Sequence, residues 1–192
     1  EEGLKLIAER GRSMQALPAG GRMAALRMDE AEARALIRGH EDRVSIAAVN
    51  GPRNVVISGD GNAVEEIVAR AGDAQPLQVS HAFHSPLMDP MLDGFERTVR
   101  QVDLREPRIP LVSNLTGGMA SQGDVTDPLY WRRHVRETVR FADGFQTLVA
   151  AGVDTFIEIG PHPVLLGMAR LAVEEEDEGT DNRGEERLRV VC

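Results

Sequence analysis

The sequence predicts an α/β protein that contains a ferredoxin-like subdomain. Between residues 21 and 80, short apolar runs alternate with helical patterns in the order β-α-β-β-α-β, the order of a split βαβ fold of about 60 residues. A turn signal at Asn50–Arg53 separates the two central strands. Because so small a unit cannot enclose a cleft alone, we expect it to cover a larger α/β subdomain.

The elements of this small subdomain follow from apolar spacing and from helix-capping residues. Two helix starts have a cap residue followed three positions later by glutamate, Asp29 with Glu32 and Asn62 with Glu65. The predicted strands and helices are, in chain order, Met23–Leu26, Asp29–Gly39, Val44–Asn50, Asn54–Ser58, Asn62–Ala71 and Leu77–Val79. Together they assign residues 21–80 to the small subdomain.

Residues 1–20 are predicted to hold a helix of the larger subdomain. Leu4, Ile7 and Met14 lie near one face of this helix and are its candidate core residues. No Ser, Thr, Asp or Asn precedes the periodic residues, so the chain is expected to open inside a helix of a longer protein.

Residues 81–173 are predicted to supply the remainder of the larger subdomain. The predicted elements are a helix opened by Pro86, a buried strand at Ile109–Ser113, a helix capped by Asp143 and stopped by Gly152, a buried strand at Val153–Ile159 and a helix at Val164–Val173. Apolar strands of this kind favour a separate α/β layer.

The charge of the chain is concentrated near its end, where residues 174–192 are predicted to form an acidic disordered tail. Residues 174–187 carry a net charge of −6 out of −9 for the whole chain. This balance argues against a nucleic-acid partner, which would require clustered Lys and Arg. The chain has no apolar run long enough to cross a bilayer and no secretion signal, so we expect a cytoplasmic protein without a membrane partner.

A general base is predicted at His84. This residue stands where a short apolar run ends and Pro86 opens a helix, a position that holds a side chain well and leaves it reachable. Histidine titrates near pH ~6.5 and can therefore take and return a proton at neutral pH. The alternative is a histidine that only packs or caps a helix.

No metal site is expected. His81 and His84 would point to opposite faces across a strand end, and no third ligand has suitable spacing. The single cysteine, Cys192, can form neither an internal disulfide nor a thiol cluster.

Three segments resemble the acyltransferase domain of type I polyketide synthases. They are HAFHSPLMDPML at residues 81–92, NGPRNVVISG at 50–59 and GPHPVL at 160–165, in the family's order and at about its spacing. The resemblance covers residues 1–173. It implies that the small subdomain is inserted in an α/β-hydrolase-like acyltransferase fold, whose large subdomain is only partly present in this chain.

The resemblance also implies a chemistry. In this family, a serine in a G-H-S-x-G turn takes malonyl from coenzyme A and passes it to the phosphopantetheine thiol of an acyl carrier protein, with the last histidine of HAFH, here His84, as the base. No Gly-x-Ser-x-Gly occurs in this chain. We therefore expect a truncated or split domain that is inactive when isolated.

The other candidate site residues rest on the same resemblance. Arg10 matches an arginine that grips the free carboxylate of malonyl. Phe83 lies in the motif that separates malonyl from methylmalonyl selection, although Phe83 and His81 could equally be core packing. His134 matches a position whose backbone carbonyl orients the catalytic imidazole. Asn54 matches a glutamine near the substrate.

The function implied is transfer of malonyl from coenzyme A to a carrier protein, with neighbouring synthase domains such as the ketosynthase as further partners. No covalently bound cofactor is implied, because coenzyme A enters as a thioester substrate and phosphopantetheine is carried by the partner. Two alternatives remain open: a noncatalytic module that docks a carrier protein or a neighbouring domain, and a proofreading acyl hydrolase.

Overall fold

The computed structural model describes residues 2–160, 162–169 and 189–191. The helices are α1 (Glu2–Gln15), α2 (Glu30–Ile37), α3 (Gly61–Ala71), α4 (Asp89–Val99), α5 (Pro128–Arg136), α6 (Phe141–Ala150) and α7 (164–169). The strands are β1 (Gly21–Leu26), β2 (Val44–Gly51), β3 (Asn54–Asp60), β4 (Ala74–Leu77), β5 (Thr155–Ile157) and β6 (Arg189–Val191). None of the helices described here is long and apolar enough to cross a membrane.

The first four strands form one antiparallel sheet in the order β2-β3-β1-β4. This is the strand order of a split βαβ fold, so the predicted ferredoxin-like subdomain is confirmed. The side chains buried between this sheet and helices α2 and α3 include Leu26, Ile37, Val44, Val55, Ile57, Val64 and Ile67. They alternate along the strands and recur at helical spacing, as the apolar pattern predicts.

The caps of α2 and α3 differ in how well they could be predicted. Asp29 and Glu32 form the expected reciprocal capping box, with Glu32 N donating to Asp29 Oδ1 at 2.8 Å and Asp29 N donating to Glu32 Oε2 at 2.9 Å. The cap predicted at Asn62 is wrong, because Asp60 caps α3 by accepting a bond from Ala63 N at 3.1 Å. Both positions carry a good capping residue, and the helix begins at the earlier one.

The opposite face of the sheet receives the segment that follows β4. Ala82 packs there in a small cluster with Met23, Ala47 and Val56. Gly21 is required for this approach, since a Cβ at that position would lie 2.5 Å from the Cβ of Ala82. The segment that carries His84 is thus pressed against the start of β1. The strand expected at Leu77–Val79 lies three residues earlier, as β4.

A second core lies between helices α1, α4 and α5. The buried side chains of this core are Leu6, Met14, Met88, Met91, Leu92, Phe95, Val99 and Val135. The face predicted for α1 is wrong in part, because Leu4 and Ile7 are exposed and Leu6 is buried with Met14. The residue midway between these two, on the same stripe, is Arg10.

The buried strand predicted at 109–113 is wrong, and the one predicted at 153–159 is right only for a short, mostly exposed strand within it. In the first segment, only Val112 makes a β-bridge, to Met119, and Ile109 is 79% exposed. Pro110 has no backbone N–H to donate to a ladder, which explains why the apolar run does not become a strand. The second segment forms only the short β5, and Ile159 is 97% exposed.

The end of the chain also departs from the prediction in two places. Helix α6 begins two residues before Asp143, whose carboxylate instead accepts a bond from Arg140 Nε at 2.6 Å. Gly152, with φ of 85°, follows the C-cap residue Ala151 and ends α6 as expected. Residues 189–191 form β6 parallel to β5, so the predicted disorder of 174–192 is wrong there. Residues 170–188 and 192 lie outside the described residues.

Candidate active site

His84 is held in an unusual backbone conformation by the residues on both sides. It is the one non-glycine residue with positive φ, 57°, among the described residues. The next residue, Ser85, is fully buried; its Oγ donates to the carbonyl of Ala82 at 2.6 Å and accepts from Leu87 N at 3.2 Å. Ser85 thus caps the 3₁₀ turn at Pro86–Met88 and fixes where the His84 side chain leaves the backbone.

The ring of His84 is anchored by a single backbone carbonyl. Its Nδ1 lies 2.9 Å from the carbonyl oxygen of Glu137. A carbonyl can only accept, so Nδ1 carries the proton and the lone pair of the neutral ring is on Nε2. A histidine with this tautomer presents a base at Nε2.

The carbonyl predicted to orient the base was that of His134, and this is wrong. His134 lies within helix α5, where carbonyls run along the helix axis, whereas Glu137 follows the last helical residue with an extended backbone (φ −87°, ψ 165°). The Glu137 carbonyl is therefore free of the helix ladder and accepts from the imidazole.

Burial keeps His84 neutral. Its pKa is lowered from 6.5 to about 4, mainly because burial disfavours the charged ring and secondarily through the positive charge of Arg10 and the nearby His134. The hydrogen bond to the Glu137 carbonyl raises the pKa and offsets part of this shift. At pH 7 the ring is therefore unprotonated and able to accept a proton.

The pKa of His84 makes stability depend on pH. Because the folded pKa lies below the unfolded value of 6.5, the unfolded chain binds the extra proton between about pH 4 and 6.5. The stabilisation is complete above pH 6.5 and is lost as the pH falls toward 4. Urea unfolding at pH 7, 6 and 5 should therefore show a smaller loss of stability on acidification in His84→Asn than in the unaltered chain. An identical pH dependence would contradict the depressed pKa.

Among the residues that the structure describes, Arg10 has no carboxylate partner for its positive charge. It lies between Leu6 and Met14 on the packed face of α1 and is half-buried. Of the described arginines that are not exposed, Arg132, Arg136 and Arg140 pair with carboxylates, and Arg10 does not. Burial lowers the pKa of Arg10, and its charge in turn lowers the pKa of His84 and His134. The helix thus presents an unpaired guanidinium beside the two imidazoles.

His134 adds a second polar group to the same place. Its Nδ1 is buried with no hydrogen-bond partner, and its ring packs against Tyr130 and Trp131 with centroids 6.0 Å apart in each case. Its pKa is lowered by burial first and by Arg10 second. The ring borders a cavity of about 280 Å³.

The two other aromatic residues of the His81–His84 motif differ in exposure. Phe83 is half-buried; it packs against the core between α1, α4 and α5 and against the Ala82 cluster, and part of the residue remains exposed. His81 is buried, and its Nε2 donates to the carbonyl of Leu17 at 3.1 Å. His81 therefore ties the α1–β1 connection to the motif, the packing role that the sequence left open.

Asn54 is not brought to the other candidates. It is the first residue of β3 and borders a separate cavity of about 390 Å³, together with Asn50, Arg53 and Gln75. Neither His84 nor Arg10 lines this cavity. Residues 2–160, 162–169 and 189–191 contain no group of three His, Cys, Asp or Glu side chains that could hold a metal ion.

Two residues of this site were missed from the sequence. Ser85 stands immediately before Pro86, and this pair is a recognisable helix-start signal. Glu137 acts through its backbone carbonyl, which leaves no signature in the side chain.

Comparison with known proteins identifies the family. A model described as the acyl transferase domain matches residues 1–185. The chain belongs to the acyl transferase domain family. It is 46% identical over 179 residues to polyketide synthase GfsA of Streptomyces halstedii, an alignment that covers 91% of this chain and 2% of that synthase.

Solved acyl transferase structures share its fold. The acyltransferase domain from the second module of the salinomycin polyketide synthase is 44% identical with a TM-score of 0.89, and the match covers 99% of this chain and 43% of that one. A malonyl CoA-acyl carrier protein transacylase from Clostridium perfringens is 28% identical with a TM-score of 0.84, covering 99% and 59%. The chain thus spans about half of these acyl transferase structures. The resemblance inferred from the three motifs is confirmed.

Proposed function

We propose that His84 supplies the general base, and Arg10 the carboxylate-binding group, of a polyketide synthase acyl transferase domain. This domain would move malonyl from coenzyme A to an acyl carrier protein. The observation that carries the proposal is the neutral His84, anchored at Nδ1 and open at Nε2, beside the unpaired guanidinium of Arg10. A base and a cation placed together suit a substrate that is both a thioester and a carboxylate.

The proton movements follow from the tautomer of His84. Nε2 takes the proton from a serine hydroxyl as its oxygen attacks the malonyl thioester carbonyl. The same proton passes to the sulfur of coenzyme A as the C–S bond breaks, which leaves malonyl-serine. In the second half, Nε2 takes the proton from the carrier thiol, the sulfur attacks the ester, and the serine oxygen recovers the proton.

Arg10 is the group proposed to hold the free carboxylate of malonyl. A guanidinium offers paired N–H donors that match the two carboxylate oxygens, and partial burial strengthens the contact. His134, with its unpartnered Nδ1, lies near enough to Arg10 for the guanidinium to lower its pKa, and it is proposed as a second contact to the same substrate. Asn54 borders a different cavity, so any contact it makes would be with a remote part of the substrate.

A labelling experiment tests this proposal and separates its alternatives. The chain has no Gly-x-Ser-x-Gly turn, so the test uses a hybrid domain in which residues 1–192 replace the matching part of the salinomycin second-module domain. With radiolabelled malonyl-CoA, we expect a labelled serine and transfer of the label to carrier protein. The isolated chain should not be labelled.

Other outcomes would overturn the proposal. A hybrid domain that binds carrier protein without being labelled would be a docking module. Release of free malonate at an undiminished rate without carrier would indicate a hydrolase. Stable labelling of the isolated chain would refute its predicted inactivity.

Phe83 is proposed to favour malonyl over methylmalonyl. Its ring occupies space that a serine would leave empty, and one methyl group in a pocket is worth about 1–3 kcal/mol. In the hybrid domain, Phe83→Ser should shift the malonyl-to-methylmalonyl ratio by about tenfold toward methylmalonyl. Phe83→Leu keeps most of the bulk and serves as the matched control. A ratio unchanged in Phe83→Ser would remove Phe83 from specificity.

A further inference from the structure

The carbonyl that anchors His84 belongs to a segment that extends the sheet of the small subdomain. Strand β2 lies at one end of the sheet, and Val139 pairs with its outer edge in a parallel β-bridge to Ala48. Val139 N donates to the carbonyl of Ala47 at 2.8 Å, and Val49 N donates to the carbonyl of Val139 at 2.9 Å. Glu137 therefore lies two residues from a backbone pairing with β2.

Two side chains secure the residues on either side of Glu137. Thr138 Oγ1 donates to the carbonyl of Ile46 at 2.7 Å. Arg136 Nη1 donates to Ser45 Oγ at 3.1 Å, and its Nε pairs with Asp89 at 2.7 Å. The peptide that carries the Glu137 carbonyl is thus held on β2 before it and after it, and on α4 through Asp89.

On the α5 side, Glu137 N donates to the carbonyl of Arg133 and the Glu137 carboxylate accepts from Arg133 Nε, each at 2.7 Å. On the β2 side, the peptide is held by the bonds of Thr138 and Arg136 and by the pairing of Val139. Residues 136–138 border a cavity of about 410 Å³, together with Ser45 and Ile46. The space behind the segment is therefore not packed, and hydrogen bonds rather than apolar contacts determine where the Glu137 carbonyl points. A carbonyl displaced by 1 Å would no longer hold the proton of His84 on Nδ1.

We infer that Thr138 is a positioning residue for His84: its hydroxyl bond to β2 fixes the Glu137 carbonyl and, through it, the tautomer of the base. The inference rests on the proposed function only for its consequence, the rate of acyl transfer. The effect on the His84 tautomer can be measured without catalytic turnover. Strand β2 of the small subdomain thereby determines, through Thr138 and the Glu137 carbonyl, which ring nitrogen of His84 carries the proton.

The test is a tautomer measurement by long-range ¹H–¹⁵N NMR on the full chain at pH 7. Thr138→Val removes the hydroxyl and keeps the shape of the side chain. The bond is worth about 1 kcal/mol, so the ratio of Nε2–H to Nδ1–H tautomer of His84 should rise by up to about fivefold. Thr138→Ser keeps a hydroxyl and should restore the Nδ1–H form.

A matched control is available in Thr147, whose Oγ1 makes the same kind of bond, to the carbonyl of Gly117 at 2.6 Å. Thr147→Val should leave the His84 tautomer unchanged. If Thr138→Val does not fold, Ser45→Ala, which removes only the bond from Arg136, provides a milder second variant with a change in the same direction.

An unchanged tautomer in folded Thr138→Val and in Ser45→Ala would overturn the inference and leave the proposed function intact. An equal change in Thr147→Val would also overturn it, because the effect would then be general loosening. Failure of the proposed function would appear separately, as transfer by the hybrid domain that does not require His84.

Discussion

His84→Asn in the hybrid domain should lower malonyl transfer about 10³-fold, within the 10²–10⁴ range of a general base. Asparagine tolerates the positive φ found at this position, and its side-chain N–H can still donate to the Glu137 carbonyl. The variant therefore keeps the backbone and loses only the base. Single-turnover labelling of the serine measures the effect.

The same substitution at a distant histidine distinguishes a loss of catalysis from a loss of folding. His40→Asn changes a histidine in the α2–β2 connection, where we expect no loss of transfer. His84→Gly suits the positive φ and leaves a space for the ring, so added imidazole should restore part of the rate. Transfer by His84→Asn within about threefold of the unaltered hybrid would refute the base assignment.

Arg10→Ala should lower malonyl transfer by about 10–10² fold, because a hydrogen bond between charged groups is worth about 1.5–3 kcal/mol. Transfer of acetyl, which has no free carboxylate, should not fall. Malonyl transfer by Arg10→Lys should lie between that of the unaltered hybrid and that of Arg10→Ala, since lysine keeps the charge and loses the paired donors. The ratio of malonyl to acetyl transfer in the hybrid domain is the quantity to measure.

Arg12→Ala is the matched control for Arg10. Arg12 lies two residues along the same helix, is exposed and pairs with Glu9, so its loss should leave the ratio unchanged. Arg10→Ala should also raise the pKa of His84, because the positive charge that disfavours protonation is removed. A malonyl-to-acetyl ratio that does not respond to Arg10→Ala would contradict the assignment.

The small subdomain could be predicted from the sequence because its signals are local. The Asp29–Glu32 capping box, the Asn50–Arg53 turn and the alternating strands each act within a few residues, and the sheet order follows from them. The errors in this subdomain are misplaced element boundaries, such as the cap of α3 at Asp60 in place of Asn62.

The larger subdomain was harder to predict because its elements depend on distant neighbours. The apolar run at 109–113 has the composition of a strand, but Pro110 lacks the N–H that a ladder requires. The buried face of α1 was misassigned because Leu6 and Arg10 share it. A charged residue is not expected in an apolar core, so the sequence pattern did not indicate this face.

The sequence identified three candidate side chains that lie near one another in the structure, but it did not identify the carbonyl that binds one of them. The structure places His84, Arg10 and His134 together, as expected, whereas Asn54 borders another cavity. The anchor of the base, the Glu137 carbonyl, depends on where helix α5 ends and on the pairing of Val139 with β2. A peptide carbonyl is common to every residue, so only three-dimensional structure could identify it.

The most direct measurement of the central claim is an NMR titration of the His84 ring in the chain between pH 8 and pH 4. The signals can be assigned by their loss in His84→Asn, among five histidines. We expect a neutral Nδ1–H tautomer down to pH 5 and protonation near pH 4. A ring in the Nε2–H tautomer, or one that titrates near pH 6.5, would contradict the account.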